Sequence, residues 1–232
     1  MGNTGTALSK VVAKIASVSV DEASNAFLQD CFKQFGINVV PVGGDFTEVL
    51  SRKKFEACVL RLYADNAEQI LSAARNSTSN KRMVIYGIAH NTKEALRFSS
   101  YGINAIFDEP LERQGVLRVV RSTHLLVIHE LRRYVRIPVV TEAIIDTGKS
   151  KNLVAASQEV SAGGMSVRCS SPVPAQDMVR VSLTLPGGKA TKVRATVCWS
   201  RPKENLYGLR FDNTDDARLA VRNWIDLYLE LV

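Results

Sequence analysis

Little in this chain suggests catalysis or metal chemistry. Its four cysteines (Cys31, Cys58, Cys169, Cys198) are widely scattered and form no C-x-x-C pair, so neither a zinc site nor a redox motif is indicated. Cys58 and Cys198 sit in apolar runs and read as core residues, which suits a reducing compartment. The three histidines do not cluster; His124 and His129 are five apart, off the i, i+4 spacing of a helical metal pair. No apolar run approaches the ~20 residues of a membrane span. The first ten residues lack the apolar stretch of a signal peptide, so a cytoplasmic location is expected. No nucleophile–base pair or phosphate-binding glycine loop is apparent, so the reading is not an enzyme and needs no cofactor.

What the chain does have is length for two domains, at 232 residues, and a lopsided charge. Residues 132–232 hold 15 Lys/Arg against 10 Asp/Glu, whereas the remainder holds 15 against 13. The excess points to an anionic partner of the second half. Nucleic acid is disfavoured, because there is no helix-turn-helix pattern and no basic, aromatic-rich sheet face.

From Val11 to Phe107 apolar runs alternate with amphipathic stretches. Strands are expected at Val11–Val20, Asn38–Val42, Phe55–Leu62, Arg82–Ala89 and Ile103–Phe107. Helices are expected at Glu22–Phe35, Phe46–Lys53, Ala64–Arg75, Thr92–Tyr101 and from Leu111 to Leu131. Such alternation predicts an α/β doubly wound parallel sheet. The order resembles the receiver domain of response regulators over roughly residues 12–122, most specifically in GINAIFDEPL and in the acidic pair Asp21-Glu22. The resemblance places the phosphoacceptor aspartate at Arg61 and the conserved lysine of that family at Glu109. An arginine cannot accept a phosphoryl group, so the expectation is a pseudo-receiver whose degenerate site comprises Asp21, Glu22, Arg61 and Glu109. Arg61 and Glu109 have exchanged the family's signs and are expected to form an ion pair.

The proposed division is residues 1–122 for the receiver-like domain, 123–131 for a helical linker and 132–232 for the second domain. Beyond Pro138 the pattern becomes six short strands, Val139–Ile145, Leu153–Val160, Met165–Cys169, Asp177–Leu185, Lys192–Trp199 and Leu206–Phe211. Proline and glycine turns separate them, and an amphipathic helix over Asp215–Leu231 closes the chain. This predicts a small antiparallel β-barrel.

Two stretches carry chemistry. Arg132-Arg133-Tyr134-Val135-Arg136 precedes the first strand, on what reads as a flexible lead-in, with Tyr134 directed inward by alternation. Glu159-Val160-Ser161-Ala162-Gly163-Gly164 lies between two strands. RRYVR contains the R-x-x-x-R motif of PilZ domains, and EVSAGG resembles their D/N-x-S-x-x-G motif with Glu159 replacing Asp or Asn. VCWSRPKENLYGLRF resembles their Val-x-Trp and Gly-x-x-Phe strands. The resemblance covers about residues 131–230 and implies a cyclic di-GMP receptor. Its ligand-binding residues would be Arg132, Arg133, Arg136, Glu159, Ser161, Gly163 and Gly164.

Arginine forks suit phosphate and the guanine edge. A carboxylate accepts from guanine N–H groups, and glycines let backbone approach a flat ligand. The expected mechanism orders the arginine segment on binding, rearranges the domains through the long helix and alters a contact with an unidentified protein partner. A homodimer through the 111–131 helix or the C-terminal helix is a further expectation. A PilZ-type adaptor that has lost nucleotide binding, and a nucleic-acid-binding regulator, stand as alternatives.

Overall fold

The computed structural model describes residues 12–148, 152–174 and 178–231. They divide into two compact units, the first ending at Leu131 and the second starting at Arg132. Residues 123–131, expected as a linker, fall within the first unit, where Lys54 Nζ lies 2.9 Å from Glu130 Oε1.

The first unit runs β1 (Ala13–Val18), α1 (Glu22–Lys33), β2 (Ile37–Val42), α2 (Phe46–Arg52), β3 (Ala57–Arg61), α3 (Ala67–Asn76), β4 (Val84–Ala89), α4 (Thr92–Arg97), β5 (Ala105–Asp108) and α5 (Arg113–Tyr134). The five strands are parallel in the order β2-β1-β3-β4-β5. This is the order of doubly wound sheets of the flavodoxin and CheY type. Helices cover both faces, which is why the strands are nearly continuous apolar runs; every residue of β4 is buried. Short polar caps fix the helix starts: Asp21 Oδ1 accepts from the Ser24 N–H and Asp45 Oδ1 from the Thr47 N–H. The helix expected through Tyr101 stops at Arg97 and gives way to a 3-10 turn at Ser99–Tyr101. Gly102, in the left-handed conformation at φ 63°, then ends the segment, its N–H donating to the Ser99 carbonyl.

The second unit contains β6 (Ile137–Pro138), β7 (Glu142–Asp146), β8 (Leu153–Ser161), β9 (Gly164–Cys169), β10 (Met178–Thr184), β11 (Ala190–Arg201), β12 (Leu206–Phe211) and α6 (Arg218–Leu231). Six strands close an antiparallel barrel, β8-β7-β10-β11-β12-β9 and back to β8; the two-residue β6 pairs with the end of β8. Alternating residues fill the interior: Val179, Val181 and Leu183 from β10, Val193, Ala195 and Val197 from β11, Tyr207, Leu209 and Phe211 from β12.

Two β-bulges interrupt that alternation. In β8 the register shifts between Ser157 and Glu159, and in β11 between Val197 and Trp199. Without the first, Glu159 and Ser161 would share the inward phase of Ala155 and Ser157. With it, Val160 is buried and Glu159 is exposed. Without the second, Trp199 would follow Val197 inward; instead it is 40% exposed. A bulge inserts one unpaired residue and re-aims every side chain beyond it.

Candidate functional site

The bulges matter because of where they turn those side chains. An open cavity of ≈350 Å³ on the barrel is lined by Arg133 and Arg136 on one side and by Glu159, Ser161, Gly163 and Gly164 on another. Six of the seven residues singled out in the second half thus share one concavity. Trp199 and Arg210 also line it. Among the described residues Arg136, Arg210 and Glu159 form no ion pair, so the cavity presents exposed guanidinium groups around a single carboxylate.

Arg132, the seventh residue, is not in the cavity wall. Its Nε stands 3.2 Å from Asp226 Oδ1 on α6. The reason is the helix. The stretch expected as a flexible lead-in is helical through Tyr134, since α5 continues three residues beyond Leu131. Consecutive helical residues diverge by about 100°, so Arg132 and Arg133 face different surroundings. Tyr134, expected to point inward, is 37% exposed, and Val135 and Ile137 are buried instead.

The 159–164 stretch has an internal structure of its own. Ser161 pairs with Gly164 across the hairpin, and the Ser161 hydroxyl donates to the Gly164 carbonyl at 2.9 Å. Its proton is therefore committed to the turn, while its oxygen retains acceptor capacity toward the cavity. The two glycines differ. A Cβ on Gly164 would stand 2.2 Å from the Leu209 carbonyl oxygen, so Gly164 is required by the barrel's own close strand contact. A Cβ on Gly163 would meet nothing within 4 Å.

Trp199 and Arg210 were not among the expected site residues. Trp199 lies over Gly208, where a Cβ would come within 2.1 Å of its Nε1, and Arg201 sits 5.7 Å above its ring. The Trp…Gly spacing in VCWSRPKENLYG is the sequence trace of that contact; its outward aim needs the bulge. Arg210 sits directly opposite Gly164 in the β9–β12 ladder, which places it beside the glycine turn. Cys198, expected in the core, is exposed and also lines the cavity. Val193, Ala195 and Val197 hold the inward phase, which leaves position 198 outside.

In the first unit the carboxyl ends of the strands gather a second arginine-centred group. Arg61 Nη2, at the end of β3, stands 3.0 Å from Glu109 Oε1, donates to Ser24 Oγ at 3.2 Å and pairs with Asp21. Tyr63 donates its hydroxyl to Glu109 and stacks on His90 with ring centroids 4.4 Å apart. Both Arg61 and Glu109 side chains are 18% exposed. Burial works against the Arg61 charge, but hydrogen bonds to Asp21 and Glu109 outweigh it and raise its pKa. Asp21 is held well below the usual carboxylate range by the Ser24 N–H, then the Ser24 hydroxyl, then Arg61. Burial and the bond to Glu109 push the Tyr63 phenol up to about 12. Glu22 is exposed in the first turn of α1 and takes no part.

Among the described residues no cluster of three or more His, Cys, Asp or Glu is placed to hold a metal ion, and no helix is long and apolar enough to cross a membrane. No curated protein matches the chain. Among solved structures the chain is similar to the chemotaxis response regulator CheY4 of Vibrio cholerae, at 12% identity, TM-score 0.43, covering 50% of this chain and 98% of that one. It is similar also to the PilZ domain of CeSA from a cellulose-synthesizing bacterium, at 15% identity, TM-score 0.34, covering 40% and 97%. The family model of the PilZ domain matches residues 130–229, the whole of the barrel and most of its closing helix. Residues 130–229 are accordingly a PilZ domain, a module of cyclic di-GMP receptor and adaptor proteins, and the first half of the chain has a receiver-like α/β fold.

Proposed function

We propose that the chain is a cyclic di-GMP receptor whose ligand occupies the cavity on the barrel. One observation carries this reading: two stretches 23 positions apart, 133–136 and 159–164, contribute to one concavity in which, among the described residues, Arg136 and Arg210 form no ion pair. The ligand offers two phosphates and two guanines. Arg133 and Arg136 meet phosphate through bidentate forks or pair with guanine O6 and N7. The Glu159 carboxylate accepts from guanine N1–H and the exocyclic amine, and Ser161 accepts one further bond. Trp199 offers an exposed ring on which a base can stack. Gly163 gives the ligand open access to the turn.

The receiver-like domain, in this reading, takes no phosphoryl group. Position 61 has no carboxylate, and the Arg61 guanidinium with its two acidic partners fills the space where phosphoryl chemistry would need a metal and an acceptor. The domain then serves as a fixed body. Ligand binding at the end of α5 alters the chain's contact with a protein partner.

Calorimetric titration with cyclic di-GMP tests the site. Wild type should bind with micromolar or tighter affinity, and Arg136→Ala should lose ten- to a hundredfold, about the 1.5–3 kcal/mol of a charged hydrogen bond. Equal binding by the two proteins would remove the site assignment. No heat from wild type would leave the adaptor reading in its place.

A further inference from the structure

We propose that Asp226 sets the affinity of the cavity by holding Arg132 away from it. The proposal rests on the receptor reading above. Arg132 is bound to α6 while its neighbour Arg133 lines the cavity, and the backbone conformation decides which of the two faces it. With the last turn of α5 helical, Arg133 faces the cavity along with Arg136, and Arg132 is turned by about 100° toward Asp226. Were that turn extended, alternation would put Arg132, Tyr134 and Arg136 on one side and Arg133 on the other. The stretch therefore contains two overlapping arginine pairs, 133/136 and 132/136, and a helix-to-extended change exchanges one for the other.

Two features stabilise the helical arrangement. Arg132 and Arg133 are basic residues in a helix's last turn, where the helix dipole favours them. The Asp226 ion pair then ties that turn to α6. The helix itself is anchored independently: Val221 and Ile225 are buried, and Trp224 Nε1 donates to the Pro186 carbonyl at 2.8 Å. Asp226 is thus a fixed carboxylate competing with an anionic ligand for one guanidinium. It is a positioning residue, since it acts on the ligand only through Arg132.

The test compares wild type, Asp226→Asn and the double variant Asp226→Asn/Arg132→Ala in calorimetric titrations with cyclic di-GMP. Asp226→Asn should bind about two- to fivefold tighter, the range that a part-exposed ion pair supports. The double variant should lose that gain. Equal affinity of Asp226→Asn and wild type overturns the proposal and leaves the receptor reading standing. Absence of binding in all three, wild type included, removes the receptor reading and the affinity-setting role together.

A ligand-free measurement addresses the latch by itself. Amide hydrogen exchange over residues 131–136 should quicken in Asp226→Asn and in Arg132→Ala, with no further increase in the double variant. Unchanged exchange in Asp226→Asn overturns the proposal.

Discussion

Arg61 and Arg136 lie in different domains, and each has a glutamate in the same group of residues: Glu109 for Arg61, Glu159 for Arg136. Arg61 is saturated. Asp21, Ser24 and Glu109 all engage its Nη2, and the two carboxylates more than balance its charge. Arg136 pairs with no described carboxylate and stands exposed at a concavity that also holds Arg133 and Arg210. An arginine whose partners come from its own chain stabilises a fold and has little left to offer an anion. An arginine held without such partners presents uncompensated charge, which is what an anionic ligand needs. The same residue type is therefore structural in one domain and, in the function proposed above, a recognition element in the other.

Breaking the first group should cost the most. Glu109→Lys sets two cations together in a mostly buried place and should destabilise the receiver-like domain by roughly 2–4 kcal/mol, a little under the about 3–5 kcal/mol of breaking a fully buried pair because both side chains keep 18% exposure. Chemical denaturation should show the loss, and an unchanged midpoint would mean that the Arg61 group contributes nothing to stability. Arg136→Ala is the counterpart, with a large effect on binding and almost none on melting.

The glycine turn sharpens the contrast within the barrel. Gly164→Ala forces a Cβ onto the Leu209 carbonyl and should lower barrel stability by about 1–3 kcal/mol, as overpacking does. Gly163→Ala should leave melting unchanged and weaken cyclic di-GMP binding severalfold, because only the ligand would meet the added methyl. Equal melting of the two variants would contradict the strand contact.

The smallest expected effect is one of pH. The folded pKa of Asp21 is depressed, so it adds stability above its unfolded value, near 4, and loses that contribution as pH falls through the folded value. Its share of the receiver-like domain's stability should be flat from pH 7 to about 5 and decline below about 4. Asp21→Asn should remove this part of the acid limb in pH-dependent melting.

Much of the first domain was legible because its strands are buried on both faces and so are written as unbroken apolar runs, RMVIYGIA being the clearest. Arg61 at the end of the third such run and Glu109 before Pro110 could be placed from order alone, and their contact follows from a sheet that brings all its carboxyl ends to one edge. The barrel's strands were legible as alternation bounded by proline and glycine turns. Glu159, Ser161 and Trp199 were another matter. Plain alternation sends all three inward, and the bulges that turn them outward are settled by pairing with β9 and β12, partners distant in sequence. Cys198 and Tyr134 were misplaced for related reasons: an apolar run does not declare its inward phase, and a helix end is marked weakly where no glycine or proline follows at once.

The sequence by itself determined the two architectures, the absence of a phosphoacceptor at position 61 and the residue types available for an anion, since all three depend on local pattern and chemical identity. Only the tertiary structure decided which arginines are spent on neighbours and which remain to be offered: Arg61 to Asp21 and Glu109, Arg132 to Asp226, Arg136 and Arg210 to the cavity. Counter-charges arrive from strands and helices far along the chain, and a one-residue change of register or one more helical turn is enough to redirect a guanidinium from solvent to a carboxylate.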